Sequence, residues 1–153
     1  MSAASSVATP MAGSLLVLHP CRWMHRFIEH TGEIQVELEA ASEVGIFEAA
    51  LEAFAELASV DGDREPASHR IELATPDRAL LLADWLNEFV YLAEVADFVP
   101  GTITAFELVG DQLRATVAGH RDHPRQLVKA VTLNDLELTE VDGRWHGRVV
   151  LDV

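Results

Sequence analysis

The alternation of apolar and polar residues predicts a half-buried strand from Ile34 to Ala40. Every second position is apolar and the positions between them are mostly glutamate, which is the period of a strand with one solvated face. Glu33 then begins this strand on its polar face. A helix follows, because Ser42 offers an N-cap hydroxyl and Glu43 places a carboxylate in the first turn. The apolar residues of this helix recur at helical spacing: Val44, Phe47, Leu51, Phe54 and Ala58.

The outer face of this first helix carries three acidic residues at i,i+4 spacing: Glu48, Glu52 and Glu56. Like charges at this spacing slightly oppose a helix. We expect a solvated face, since packing supplies most helical stability in proteins. A basic partner that covers the face is the alternative.

A second helix is predicted after a chain break at Asp61-Gly62-Asp63 and a short strand at Arg70–Ala74. Thr75 supplies a capping hydroxyl and Pro76 suits the first helical position. Pro100-Gly101 ends the helical region. Most of the helix is apolar and should lie deep in the fold, with these residues inside: Leu80, Leu81, Leu82, Trp85, Leu86, Phe89, Val90 and Leu92.

The remainder of the chain reads as β structure. Strands are predicted at Thr102–Val109 and Leu113–Ala118, joined by a turn at Gly110-Asp111. A polar loop at 119–126 comes next. Two more strands are then predicted, at Leu127–Leu133 and Leu136–Val141. The fold class is therefore α+β, with a mixed, mostly antiparallel sheet and two main helices.

Asp142-Gly143 is a strong signal for a two-residue β-hairpin turn. Opposite charges and apolar residues favour each other across paired strands. The turn sets up three such pairs: Val141 with Arg144, Glu137 with Arg148, and Leu136 with Val149. Asp152 then falls on the same strand face as Arg148.

The chain is acidic, with 11 Lys and Arg against 25 Asp and Glu, for a net charge of −14. Strong direct binding to nucleic acid is disfavoured, because such binding depends on basic residues that neutralise phosphates. A basic protein partner or metal cations suit this charge better, and the alternative is that the acidity only keeps the protein soluble. No apolar stretch approaches the ~20 residues that span a bilayer, so no membrane association is expected.

The first 21 of the 153 residues contain no charged side chain. They lack the basic region and long apolar core of a secretory signal. We therefore expect residues 1–23 to form a flexible tail and residues 24–153 to form a single domain, with Met24 a candidate start. Cys21 is the only cysteine, so no internal disulfide forms, and a reducing, cytoplasmic location is the simpler interpretation.

Two groups of residues could carry chemistry. His120, Asp122 and His123 share the polar loop, where a metal site is possible but a solvated loop is the better interpretation. The second helix has a narrow polar stripe that includes Asp84 and Glu88. A carboxylate on a mostly buried helix must be paired or hydrogen-bonded. The stripe is either a helix edge at the rim of a sheet or an acidic pocket, and periodicity leaves both open.

Four short strings point to a family. They are His30-Thr31-Gly32-Glu33-Ile34, Asp84-Trp85-Leu86-Asn87-Glu88, Lys129-Ala130-Val131-Thr132 and Val149-Val150-Leu151-Asp152-Val153. In this order and spacing the chain, over about residues 24–153, resembles the archease family, whose typical strings are HTAD-I, DWLNE, VKAVTYH and LDI. The resemblance implies a small α+β protein, not itself an enzyme, that serves an RtcB-type RNA ligase. That ligase seals tRNA halves and other broken RNA with GTP and a divalent metal, and its accessory protein promotes guanylylation and repeated turnover.

The resemblance also implies roles for particular residues. Glu33 and Asp152 would be ligands of a divalent cation (Ca²⁺, Mg²⁺ or Mn²⁺), and Lys129 a required polar group. His30 and Asp84 would support them. The residues alone cannot show that Glu33 and Asp152 meet, because they lie at opposite ends of the domain.

The chain departs from the family strings at three places. Gly32-Glu33 stands for Ala-Asp, Leu133-Asn134 for Tyr-His, and Val153 for Ile. Glu33 keeps a carboxylate and moves it out by one methylene, which a hard cation accepts with altered geometry. The chain therefore resembles a divergent member of the family.

Two other functions remain open. One is a chaperone-like stabiliser of RNA-modifying enzymes that needs no metal. The other is a small metal-dependent hydrolase that uses Asp84 and Glu88. The hydrolase is the least favoured, because the sequence shows no nucleophile with an adjacent base.

Overall fold

The computed structural model describes residues 23–58, 65–122 and 128–153. Within these residues the chain forms seven strands and two helices, in the order β1 Trp23–His30, β2 Glu33–Ala40, α1 Glu43–Ala58, β3 Glu65–Ala74, α2 Arg78–Ala96, β4 Phe98–Val109, β5 Gln112–Arg121, β6 Ala130–Val141 and β7 Arg144–Asp152. The predicted tail up to residue 22 and the predicted break at 61–63 lie outside the described residues. Trp23, placed in the tail by the sequence, already belongs to β1 and pairs with Ala40.

The strands form two antiparallel sheets. One has four strands in the order β1-β2-β7-β6, and the other has three in the order β3-β5-β4. Every pairing between the described strands is antiparallel. The predicted α+β class with two main helices is thus confirmed. Of the described helices, neither combines the length and apolar content needed to cross a bilayer.

The predicted strand over Ile34–Ala40 is confirmed as β2, whose alternate residues are buried in the core. Helix α1 then begins as expected, with the Ser42 hydroxyl accepting a hydrogen bond from the Gly45 N–H at 3.1 Å. The core between sheets and helices is rich in aromatic rings. Trp85 of α2 is fully buried, and its indole N–H donates to the carbonyl of Phe47 at 3.0 Å. This bond satisfies the buried N–H and joins the two helices.

Helix α2 begins later than the sequence predicts. Its N-cap is Asp77, whose carboxylate accepts hydrogen bonds from the N–H groups of Ala79 and Leu80 at 2.9 and 3.1 Å. The predicted cap Thr75 instead donates its backbone N–H to the carbonyl of Asp111 at 3.0 Å. Asp is as good a capping residue as Thr, and the bond to the β4–β5 turn holds Thr75 outside the helix.

The end of α2 also differs from the prediction. The helix stops at Ala96, and Asp97 adopts a left-handed conformation with φ of 51° while its N–H donates to the carbonyl of Leu92. Pro100-Gly101 does not end the helical region, because it lies within β4. Strand β4 is at the edge of its sheet, where a residue without an N–H is tolerated.

The predicted hairpin at Asp142-Gly143 is confirmed, with positive φ of 53° and 79° at the two turn residues. Glu137 lies opposite Arg148, and their side chains form an ion pair at 3.2 Å. The predicted pairing of Leu136 with Val149 is wrong, because the register shifts between Thr132 and Glu137. The two predicted strands are one strand, β6, interrupted by a bulge whose Asp135 has φ of 55°.

The glutamates on the outer face of α1 are not simply solvated, because strand β1 supplies a histidine that contacts two of them. The Nε2 atom of His25 lies 3.1 Å from a Glu56 oxygen, and its Nδ1 atom lies 3.5 Å from a Glu52 oxygen. Trp23 also donates to Glu52, at 3.3 Å. The hydrogen bond with Glu52 raises the pKa of His25 more than burial lowers it, and Glu56 adds to the increase. Protonated His25 therefore ties β1 to α1.

This contact predicts a pH-dependent stability. A histidine whose pKa is raised in the folded state stabilises the fold fully below its unfolded pKa, and the stabilisation is lost as pH rises through the folded pKa. We expect the free energy of unfolding to fall by up to about 1 kcal/mol between about pH 5.5 and pH 8.5 through this contact. Urea unfolding of the wild type and of His25→Gln across this range measures it. Parallel pH profiles for the two proteins would contradict the assignment.

Candidate functional site

The two carboxylates assigned to a metal by family resemblance lie side by side. Strands β2 and β7 are antiparallel neighbours, and their register places Glu33 directly opposite Asp152. Side chains directly opposite each other point to the same face, with Cβ atoms about 4.5–5.5 Å apart. The fold therefore brings together two residues from opposite ends of the domain, which local sequence patterns could not do.

The same row continues across the whole four-stranded sheet. His30 of β1 lies opposite Glu33, and Ala130 of β6 lies opposite Asp152. The next row inward contains Ile34 and Leu151, both buried in the core. Because side chains alternate along a strand, the row of Glu33 and Asp152 faces away from the core. We call the end of the sheet formed by His30, Glu33, Asp152 and Lys129 the acidic edge.

Backbone hydrogen bonds hold the end of β7 within the acidic edge. The Lys129 N–H donates to the carbonyl of Asp152 at 2.7 Å, and the Val153 N–H donates to the carbonyl of Gly32 at 3.1 Å. Gly32 has φ of 76°, a left-handed conformation that favours glycine over the alanine of the family string. Lys129 itself is exposed. Lys129 and His30 therefore lie at the same end of the sheet as Glu33 and Asp152, and their supporting roles stay predictions.

Asp84 does not join this row. It lies exposed on α2, and among the described residues no hydrogen bond or ion pair links it to Glu33 or Asp152. Its neighbour Asn87, one turn later, accepts a hydrogen bond from the Val131 N–H at 3.2 Å. The polar stripe of α2 is thus a helix edge at the rim of the sheet. From the sequence alone, Asn87 is part of a family string and has no predicted role.

The acidic edge differs electrostatically from the rest of its sheet face. Further along that face Arg26 pairs with Glu37 and lowers its pKa, and Arg148 pairs with Glu137. Among the described residues, neither Glu33 nor Asp152 has such a basic partner. Adjacent carboxylates without a cationic partner repel each other, and a bound cation would relieve that repulsion.

A cavity of about 520 Å³ lies on the same face, away from the acidic edge. Arg26, Glu37, Glu137 and Arg148 line it. These charged groups already pair with one another, and Glu39, which also lines the cavity, pairs with Arg144. It does not coincide with the residues that the family strings single out.

The donor set limits which cations fit the acidic edge. Across the described parts of the chain, no group of three or more His, Cys, Asp or Glu side chains is close enough to hold a metal ion. Ca²⁺ takes about six to eight oxygen ligands, whereas Mg²⁺ is often held by one or two carboxylates with water and phosphate oxygens completing its shell. Two carboxylates therefore fit Mg²⁺ or Mn²⁺ better than Ca²⁺. They are too few for a calcium site whose ligands all come from this chain.

Two of the three polar-loop residues, His120 and Asp122, are described, and within the described residues they belong to no group of three or more candidate metal ligands. His120 lies within the central strand β5, opposite Val99 of β4. The Asp122 N–H donates to the carbonyl of Asp97 at 2.8 Å. His123 and the rest of the second half of the predicted loop lie outside the described residues, as does Cys21. Strand β5 runs through Arg121 because both of its neighbours pair with it that far.

Known proteins match the chain over nearly the whole described domain. The model of the archease protein family matches residues 25–153. The protein archease of Methanosarcina mazei is 30% identical over 139 residues, covering 84% of this chain and 95% of that protein. The protein archease of Pyrobaculum calidifontis is 27% identical over 139 residues, with 84% and 95% covered.

Solved structures agree with this match. Protein 1598 of Methanobacterium thermoautotrophicum superposes with a TM-score of 0.67 and 26% identity, covering 84% of this chain and 98% of that one. A protein of Thermotoga maritima described as an archease and possible chaperone has a TM-score of 0.59 and 24% identity, with 82% and 94% covered, and shares the fold. The chain therefore belongs to the archease family.

Proposed function

We propose that this protein activates an RtcB-type RNA ligase in tRNA splicing or RNA repair, promoting guanylylation of the ligase and multiple turnover. The observation that carries the proposal is the pair of Glu33 and Asp152, adjacent on the outward face of the sheet without basic partners among the described residues. Family membership supports it. The protein acts as an accessory, not as a catalyst, and works in the cytoplasm.

Charge complementarity supports a ligase partner. The net charge of −14 suits a protein whose active site is built to bind RNA and is therefore basic. Lys129 is exposed beside the acidic pair and is the cation that the family string places there. Its ammonium group would contact a phosphate or a carboxylate of the complex, while its backbone N–H holds Asp152 in place.

Glu33 and Asp152 would hold a divalent cation, with Mg²⁺ or Mn²⁺ the best fit, through their carboxylate oxygens. A bound divalent cation supplies positive charge that neutralises phosphate oxygens. Two carboxylates leave most of the coordination shell open to water or to groups held by the partner. His30, opposite Glu33 on β1, closes one side of the row and would orient the carboxylate.

A second candidate is a chaperone-like stabiliser of RNA-modifying enzymes that needs no metal. It draws support from the Thermotoga maritima relative, which is described as a possible chaperone. The two candidates differ in whether the acidic edge matters. A stabiliser would work with Glu33 and Asp152 neutralised, whereas a metal-presenting activator would not.

We expect Glu33→Gln and Asp152→Asn each to lower stimulation of ligase guanylylation at least tenfold, because the charge of the ligands tunes cation affinity. Without metal, the free energy of unfolding of each variant should stay within about 0.5 kcal/mol of the wild-type value, since the side chains lie on the outward face of the sheet. Guanylylation assays with labelled GTP, Mn²⁺ calorimetry and thermal melting measure these effects.

Matched controls are Glu29→Gln on β1 and Asp111→Asn in the β4–β5 turn, both exposed and outside the row. Both should keep full stimulation. If Glu33→Gln and Asp152→Asn stimulate the ligase fully, the metal assignment is wrong and the stabiliser is favoured. If both variants lose melting temperature and stimulation together, the residues are structural.

Glu33→Asp restores the residue of the family string. It shortens the side chain by one methylene and keeps its charge, so we expect stimulation to be equal to or greater than that of the wild type. Guanylylation rates at subsaturating Mn²⁺ give the most sensitive comparison. A loss as large as that of Glu33→Gln would mean that the site depends on the longer side chain of this chain.

The protein alone should bind RNA weakly at physiological salt. Its net charge of −14 repels phosphates, and the affinity of non-specific complexes comes from phosphate neutralisation. Fluorescence anisotropy with labelled tRNA across a salt series tests this expectation. Sub-micromolar affinity that falls steeply with salt would show a direct RNA role instead of a role through the ligase.

A further inference from the structure

We infer that Asn87 is a positioning residue that couples helix α2 to the acidic edge by holding the first residues of β6 in register against Asp152. Its side-chain oxygen accepts a hydrogen bond from the Val131 N–H at 3.2 Å. The functional consequence rests on the proposed cation role of Glu33 and Asp152. The structural consequence does not.

The start of β6 needs an anchor because it is at the edge of the sheet. Strand β6 pairs with β7 on one side only, so alternate N–H groups point away from the sheet. The Val131 N–H finds its partner on α2, not on another strand. Asn87 therefore covers an edge donor at the point where β6 begins.

The hairpin turn cannot set the register of this end of β6. Asp142-Gly143 fixes the pairs from Val141 to Glu137, but the ladder is then interrupted by the bulge and resumes only at Thr132. Ala130, Val131 and Thr132 form a separate short run of pairs. A run this short gains little from its own ladder, so its position depends on the burial of Val131 and on an external contact.

This short run in turn holds Asp152. Ala130 lies opposite Asp152, and the Lys129 N–H donates to the Asp152 carbonyl at 2.7 Å. A shift at Val131 would move Lys129 and release the carbonyl of Asp152. Asn87 thus acts on the acidic pair through the backbone of residues 129–131.

Helix α2 is a firm support for this contact. Trp85 and Phe89, on either side of Asn87 in the sequence, are fully buried, and their ring centroids lie 4.8 Å apart. The Trp85 indole is fixed by its bond to Phe47. Because the helix is anchored on its inner side, the outward Asn87 presents a well-placed acceptor to β6.

The test compares Asn87→Ala, which removes the acceptor, with Asn87→Asp, which keeps a side-chain oxygen in the same position. Thr104→Val is the matched control, since it removes a hydroxyl that donates to the Thr116 carbonyl at 3.2 Å in the other sheet. Amide hydrogen exchange by NMR is measured at Val131 and Lys129, together with Mg²⁺ titration of the full chain and its melting temperature.

In Asn87→Ala we expect exchange at both amides to be about tenfold faster and Mg²⁺ affinity to fall about tenfold, the range typical of residues that orient metal ligands. Asn87→Asp should restore both, and Thr104→Val should change neither. Faster exchange at Val131 alone, with Lys129 and Mg²⁺ affinity unchanged, would overturn the inference.

The exchange measurements separate this inference from the proposed function. If the wild type binds no cation, the metal role of Glu33 and Asp152 fails, yet coupled exchange at Val131 and Lys129 would still support the positioning role. If the wild type binds Mg²⁺ but Asn87→Ala leaves Lys129 protected, the positioning role fails alone.

Discussion

The register of β2 on β7 is the constraint on which both the core and the site depend. Ile34 lies opposite Leu151 and Val36 opposite Val149, and all four are buried. A slip of one residue would turn these side chains out to solvent, so burial fixes the pairing. The same pairing sets Glu33 against Asp152 on the opposite face. The acidic pair thus follows from hydrophobic burial and needs no contact of its own.

Electrostatics then separates one end of the outward face from the other. Near the hairpin, acidic residues alternate with arginines across the strands, and the two kinds of side chain form ion pairs. Arg144, for example, lies 2.8 Å from a carboxylate oxygen of Glu39. At the acidic edge the described side chains supply no such partner to Glu33 or Asp152. A sheet that balances its charges over most of its face leaves an imbalance where an external cation or partner can bind.

Local patterns were enough for the elements whose partners are close in the chain. The alternation over Ile34–Ala40, the Ser42 cap and the Asp142-Gly143 turn each carry their own signal, and each is confirmed. Strand β1 was not predicted, because a polar residue, His25, occupies one of its inward positions. His25 contacts acidic residues of α1 that are distant in the sequence. The bulge in β6 was not predicted either, because it depends on which residues of β7 lie opposite each residue of β6.

The site shows the same limit more sharply. Family resemblance named Glu33 and Asp152, but their adjacency depends on long-range pairing that no window of sequence contains. Asn87 had a signal, as a polar residue within a family string on an otherwise apolar helix. The role of Asn87 could not be predicted from the sequence, because it depends on the position of Val131, which is set by the packing of α2 on β6.

The departures from the family strings fall where the acidic edge tolerates them. Leu133 and Asn134, which replace Tyr-His, lie in the bulge and are exposed, Leu133 by 64%. The bulge interrupts the ladder, so substitution there does not shift Ala130 against Asp152. Gly32 occupies a left-handed turn that suits glycine, and its carbonyl still accepts the Val153 N–H. Divergence has therefore changed Glu33, one member of the pair, as well as its surroundings, while backbone hydrogen bonds to Gly32 and from Lys129 hold the end of β7.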